Sequence, residues 1–470
     1  MSTYKEIMGA VNKKLGGFFF VYGYGGTGKT FLWNTLASSI RSEGKIVLTV
    51  ASSGIAANLL PNGRTAHSRF MIPIQITEFS VCNITQNSPL ADLIRITSLI
   101  IWDEAPMMHR FCYEAFNRSL QDIMQCKQIF GGKCVVMGGD FRQILPVLTK
   151  GTRADIVDAS VNSSPLWNHA EVFTLHQNMR IEKSKDPVQN SHIDEFSQWL
   201  LQVGDGKLGV DIDGVADIDL PTNILVPTSE DPLSTIVAFT YDNFFENIDS
   251  QSYFVDRSIL APTIQSVNEI NDHMCGLLPG EEHEFLSCDS ICKSTDDPNI
   301  AENLYTTEFL NSITCSGLPP HRLLLKKGTH VMLIRNIDQQ AGLCNGTRLQ
   351  VSKIGANVIE AKILTGSSAN QMVLIPRMDM NPSDIKWPFK MQRRQFPIII
   401  SFAMTINKSQ GQSLKKVGIY LQRPVFTHGQ LYVALSRVKN IQGLHVILPH
   451  QEQHGNKTKN VVYKEIFANI

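Results

Sequence analysis

The sequence predicts an α/β protein built on parallel, doubly wound sheets, with a small β-rich region late in the chain. Three observations predict it. Over residues 1 to 178, short apolar runs bounded by glycine or polar residues alternate with helical stretches. One strand-to-helix junction carries Gly23-Tyr24-Gly25-Gly26-Thr27-Gly28-Lys29-Thr30, which fits the phosphate-binding pattern G-x-x-x-x-G-K-[ST]. Further on, strand-like runs separated by glycines replace the alternation between Leu323 and Ile375.

In chain order, strands are expected at 18–22, 46–50, 98–102, 134–138 and 171–175, because each is a short apolar run ending in polar residues or glycine. The residues from Phe31 to Ala37 read as the helix after the phosphate-binding loop. Residues 61–95 contain proline, asparagine, glutamine and serine and read as an excursion from the sheet. A second α/β region is expected from 179 to 470. Within it, 275–322 is polar and reads as a loop, and a β-rich insertion is expected over about 318–395. The α/β pattern resumes at Phe396.

The chain has 470 residues, 43% hydrophobic and 18% charged, which suits large cores in several domains. Lys+Arg and Asp+Glu are 43 each, so the net charge argues against a globally basic nucleic-acid coat and leaves room for a local basic groove. Nine scattered cysteines, without a secretory leader, suggest reduced thiols in an intracellular protein. No apolar run approaches the roughly 18 residues of a membrane helix, so no membrane partner is expected.

The chemistry starts at the glycine-rich loop. Gly25, Gly26 and Gly28 free the backbone to turn consecutive N–H groups, Thr27 included, toward one anion. Lys29 can reach the β- and γ-phosphates, and the Thr30 hydroxyl can ligate magnesium. The apolar run before Asp103 and Glu104 places two carboxylates at a strand end. Asp103 suits magnesium through its water shell, and Glu104 suits orienting a water and taking its proton. Gln143, in Gly138-Gly139-Asp140-Phe141-Arg142-Gln143, is a candidate sensor of the γ-phosphate. Arg180 and Arg437 are candidates for stabilising charge that builds on the phosphate oxygens.

These elements, in this order, resemble the Pif-type DNA helicases of superfamily 1, and most of all their plant-type branch, which includes Helitron transposons. The resemblance is carried by Ala51-Ser52-Ser53-Gly54-Ile55-Ala56-Ala57, by Gly63-Arg64-Thr65-Ala66-His67-Ser68, and by the block from Gly138 to Val147. It continues through Ile259-Leu260-Ala261-Pro262-Thr263, Ser316-Gly317-Leu318-Pro319-Pro320-His321 and the block from Gly342 to Arg348. It ends in the blocks 403–413 and 427–437.

The resemblance implies two RecA-like domains with ATP in the cleft between them, and an SH3-like β insertion in the second. It implies an ATP-dependent helicase that moves 5′ to 3′ on single-stranded DNA, using magnesium with ATP. It implies one that unwinds duplexes and serves DNA repair, recombination or telomere maintenance. Lys29, Glu104, Gln143, Arg180 and Arg437 would be catalytic. Strand contacts would come from Thr65, His67, Thr405, Asn407, Lys408 and Ser409, whose hydroxyls, amide, imidazole and ammonium suit phosphates without reading sequence. The basic run Lys386, Lys390, Arg393, Arg394 is a further candidate for that path. A monomer is expected, placed by its DNA substrate in the nucleus, with an organelle as the alternative. The family carries a glutamine upstream of the loop that reads adenine; residues 1–22 contain none, and the first is Gln75. The alternative reading is therefore a transposon-derived or truncated relic that binds single-stranded DNA without ATP-coupled unwinding.

Overall fold

The computed structural model describes residues 2–179, 187–227, 229–248, 250–292, 305–315, 317–338, 341–366, 368–382, 389–448, 455–468 and 470. The chain forms two compact units, one made of Met1–Pro232 and Thr405–Ile470, the other of Leu233–Met404.

The first unit is built on a six-stranded sheet. Its strands are β1 (Gly17–Gly23), β2 (Ile46–Ala51), β3 (Arg64–Thr65), β4 (Thr97–Asp103), β5 (Cys134–Gly139) and β6 (Ala170–Leu175), in the order β3-β2-β4-β5-β1-β6. Every pairing is parallel. The five expected strands are all present, each extended by one or two residues, and β3 adds a short edge within the excursion. Both faces of the sheet are covered, which is why its strands read as continuous apolar runs. On one face Phe19, Val21, Leu99 and Val136 pack with Ile7 and Val11 of helix α1 (Ser2–Lys13) and with Trp33, Leu36 and Ile40 of helix α2 (Lys29–Ser42). Elsewhere aromatic rings meet: Phe20 packs on Phe141 and Trp167, and Trp102 on Phe70, Tyr113 and Phe116.

The C-terminal residues of this unit add two pairings. Lys416–Tyr420 runs parallel to Leu444–Ile447. Lys457–Val461 runs antiparallel to Val215–Asp219, setting Lys457 opposite Asp219 and Lys459 opposite Asp217.

The second unit centres on a five-stranded antiparallel sheet ordered Met372–Pro376, Val358–Ile363, Arg348–Ile354, His330–Leu333, Ile398–Ile400. Its apolar face buries Val331, Leu333, Leu349, Val351, Ile359, Ile363 and Ile398. The fold class is therefore the expected one, RecA-like α/β with an antiparallel β-rich region.

Two expectations are corrected here. The stretch 275–322 is not simply a loop: it holds strands His283–Leu286 and Cys288–Ile291 and the helix Thr307–Ser312. These strands pair with the distant Arg322–Leu325 and Met391–Gln395 and bury few side chains, so no apolar run marks them. Arg393, read as part of a basic run, is fully buried. Its guanidinium binds both Asp289 oxygens at 2.6–3.1 Å and donates to the carbonyls of Leu310, Ile313 and Pro319. Arg394 pairs with Asp379 at the surface at 3.2 Å, and Lys386 lies outside the described residues.

Candidate active site

Parallel α/β sheets gather their chemistry at the carboxyl ends of the strands. Here β1 ends in the glycine-rich loop, β4 in Asp103-Glu104, and β5 in the turn 140–143.

The loop turns where glycine permits it. Gly26 has φ 102°, and Gly28, which starts α2, has φ 90°. Tethers fix its shape. The Thr27 hydroxyl donates to the Tyr24 carbonyl at 2.9 Å, Met179 N–H donates to the Gly26 carbonyl at 2.9 Å, and the Tyr24 hydroxyl donates to the His176 carbonyl at 2.9 Å. The Lys29 ammonium donates to the carbonyls of Gly23 and Tyr24, which keeps it at the loop's mouth. Thr30 is exposed on the first turn of α2.

Asp103 and Glu104 are each 8% exposed. Burial pushes Asp103 upward, opposed by the Lys29 charge and the Trp33 indole. Glu104 is pushed up to about 7, by burial first and then by the Asp103 charge; Lys29 and Arg437 pull it back. Asp103 Oδ1 is buried without a hydrogen-bond partner, as a ligand position for a hard cation would be. Glu104 adopts the left-handed backbone, φ 53°, at the start of the turn Ala105–Met107.

The two glycines at the end of β5 let other parts approach. A Cβ on Gly138 would lie 2.5 Å from the Trp33 ring, and one on Gly139 2.2 Å from Pro106. Asp140, fully buried, then caps the turn: its Oδ1 accepts from Arg142 N–H at 3.1 Å, and its backbone carbonyl accepts from Gln143 N–H at 3.1 Å. Gln143 is 4% exposed and its Oε1 has no partner. Arg142 pairs with Asp205 at 2.6 Å and lies over the Tyr22 ring.

Arg437 belongs to the same compact unit as the loop. It is 5% exposed and donates to the carbonyls of Val433 at 2.8 Å, Gln412 at 3.0 Å and Ser409 at 3.3 Å. The structure thus brings Lys29, Asp103, Glu104 and the charge of Arg437 together, and puts Gln143 on the turn that follows the adjacent strand β5. Arg180 lies outside the described residues.

The expected strand contacts sit on two similar local motifs. Thr65 caps the helix Ala66–Phe70, and Thr405 caps the turn Ile406–Ser409; each hydroxyl accepts the N–H three residues on at 3.4 Å. His67 is half-buried and its pKa is lowered by burial. Lys408 is exposed, and desolvation by the protein around it lowers its pKa. The Asn407 side-chain oxygen Oδ1 accepts from Gln430 Nε2 at 3.2 Å. Ser409 is fully buried and donates to the Ile406 carbonyl at 2.7 Å, so it holds the turn together.

Reading the sequence passes over the residues that join these parts. Tyr432 donates to Asp140 Oδ2 at 2.8 Å. His428 is fully buried: Nδ1 accepts from Tyr463 N–H at 2.8 Å, so Nε2 carries the hydrogen and donates to the Phe141 carbonyl at 2.8 Å. Gly429, φ 70°, lies so close that a Cβ would meet the Arg142 carbonyl at 2.3 Å. Their one sequence signal is position in the block 427–437; no spacing rule pairs them with 140–143.

A family model described as PIF1-like helicase matches residues 1–213, and another, the 2B domain of DNA helicase Pif1, matches 308–354; together they cover more than half of the chain. The chain is 26% identical to the ATP-dependent DNA helicase Pif1 of Psychrobacter sp., over 92% of this chain and 66% of that one. It is 27% identical to the mouse ATP-dependent DNA helicase PIF1, over 91% of this chain and 57% of that one. It therefore spans two thirds or less of the length of these two curated relatives. A crystal structure of Pif1 helicase from Candida albicans aligns over 98% of this chain and 97% of that one, with TM-score 0.65 and 23% identity, a likeness of fold.

Proposed function

The chain belongs to the PIF1-like helicase family, and from that membership we propose that it is an ATP-dependent DNA helicase moving 5′ to 3′ on single-stranded DNA and unwinding duplex DNA. The observation that carries the reading is the convergence of Lys29, Asp103, Glu104 and Gln143 at the carboxyl edge of one parallel sheet, with Arg437 close enough to lower the pKa of Glu104.

The loop amides and Lys29 hold the phosphates. Glu104, when ionised, orients a water and accepts its proton. Gln143 and Arg437 meet the γ-phosphate oxygens as negative charge builds there. Thr30 and Asp103 fit a magnesium ion carried with ATP, since a hydroxyl and an unpartnered carboxylate oxygen are hard ligands. The ion would neutralise phosphate charge when bound. Arg180, from the resemblance, joins this set.

We read 1–178 and 179–470 as the two RecA-like domains, the second carrying the insertion at about 318–395, and we place the chain in the plant-type, Helitron-like branch. Thr65, His67, Thr405, Asn407 and Lys408 would grip strand phosphates, with Ser409 supporting the second motif. A monomer is part of the same reading, as the resemblance implies. Residence in the nucleus follows from the DNA substrate alone.

The test is unwinding of a duplex with a 5′ single-stranded tail. The wild type should unwind it and leave a 3′-tailed duplex paired. Lys29→Ala should abolish unwinding, and full activity in that variant would refute the assignment. The alternative reading, a relic that binds single-stranded DNA but hydrolyses no ATP in response, predicts no unwinding by the wild type.

A further inference from the structure

Tyr432 stands between the two groups assigned to the γ-phosphate. Its hydroxyl holds one carboxylate oxygen of Asp140, while the other oxygen accepts Arg142 N–H and lies 3.5 Å from the Arg142 guanidinium. Asp140 in turn shapes the turn that carries Gln143. Tyr432 also lies on the helix Gln430–Leu435 that leads into Arg437, whose Nε donates to the Val433 carbonyl. Its ring lines a small cavity shared with Tyr24 and Gly25 of the phosphate-binding loop. Both Tyr432 and Asp140 are at most 2% exposed. Burial, and then the Asp140 charge, keep the phenol far above its ordinary range, so it acts as a fixed donor and moves no proton.

We propose that Tyr432 is a positioning residue for ATP hydrolysis. Its bond to Asp140 fixes the turn of Gln143 against the helix of Arg437, so that the two meet the reacting phosphate as one unit. This rests on the hydrolytic reading above. The phosphates of bound ATP are held by the loop and Lys29, which the Tyr432–Asp140 bond does not touch. Loss of the hydroxyl should therefore spare ground-state binding and weaken contacts made in the transition state.

The experiment compares Tyr432→Phe, Gln143→Ala and the double variant in DNA-stimulated hydrolysis, with affinities for ADP and for ADP with aluminium fluoride. Tyr432→Phe should lower kcat roughly 10- to 100-fold, the scale on which small misplacements act, with KM unchanged. Affinity for the aluminium fluoride complex should fall by the same factor while ADP affinity stays. The double variant should lose clearly less than the product of the two single losses, because both act partly through the placement of Gln143. Asp140→Asn, which weakens the same bond from the other side, should repeat the pattern even if Tyr432→Phe folds poorly. A wild-type kcat in Tyr432→Phe, losses that multiply with Gln143→Ala, or equal loss of ADP and aluminium fluoride binding would each overturn the inference. A wild type that hydrolyses ATP beside an unimpaired Tyr432→Phe removes only the role of Tyr432. A wild type without ATPase activity removes the hydrolytic reading as well.

Discussion

Glu104 is asked to take a proton while buried beside a second carboxylate, and its environment fits the task. An exposed glutamate titrates near 4.3 and would be a weak base. At about 7 it is a better one, at the cost of being protonated in acid. The sign follows: below pH 7 the carboxyl is neutral and cannot accept the water's proton, so kcat/KM should fall as pH drops through about 7 and level off above it. A pH profile of kcat/KM checks this, and a flat profile from pH 5.5 to 8 would remove Glu104 as the base. Glu104→Gln should bind ATP and turn it over at a small fraction of the wild-type rate. Residue types and spacing pointed to Lys29 and Glu104 and made Gln143 a candidate. The raised pKa was not legible, because it depends on burial that only the packed sheet supplies.

Whole elements owe their placement to contacts that no local pattern encodes. The helix Gln430–Leu435 starts at Gly429, whose positive φ and contact with the Arg142 carbonyl admit no side chain. Gly429→Ala should destabilise the first unit by at least about 1–2 kcal/mol, from the backbone conformation alone. Thermal unfolding would measure it, and an unchanged midpoint would contradict the contact. In the second unit, Arg393 and Asp289 are paired out of water. Arg393→Ala leaves a buried carboxylate uncompensated and should cost about 3–5 kcal/mol. Hydrogen exchange of the strands Cys288–Ile291 and Met391–Gln395 would report it, and unchanged protection would show the pair to be dispensable. The strands of the parallel sheet were legible because both faces are buried and each run is apolar. The polar strands in 275–322 were not, because their pairing partners are far away in the chain and only one face is covered.

At the scale of the molecule, the sequence reading anticipated the α/β class and the antiparallel region, because glycine punctuation and apolar runs mark both. It did not anticipate that the block 427–437 would lock onto the turn 140–143 through Tyr432, His428 and Gly429. That union puts loop, carboxylates, glutamine and arginine in one compact unit. DNA bound to this protein should drive its ATP turnover. The most direct test is ATP hydrolysis by the purified chain with and without single-stranded DNA. Strong stimulation by the strand, lost in Lys29→Ala, is the predicted result. A folded protein that binds the strand but hydrolyses ATP no faster with it than without it would contradict the account and leave the passive relic in its place.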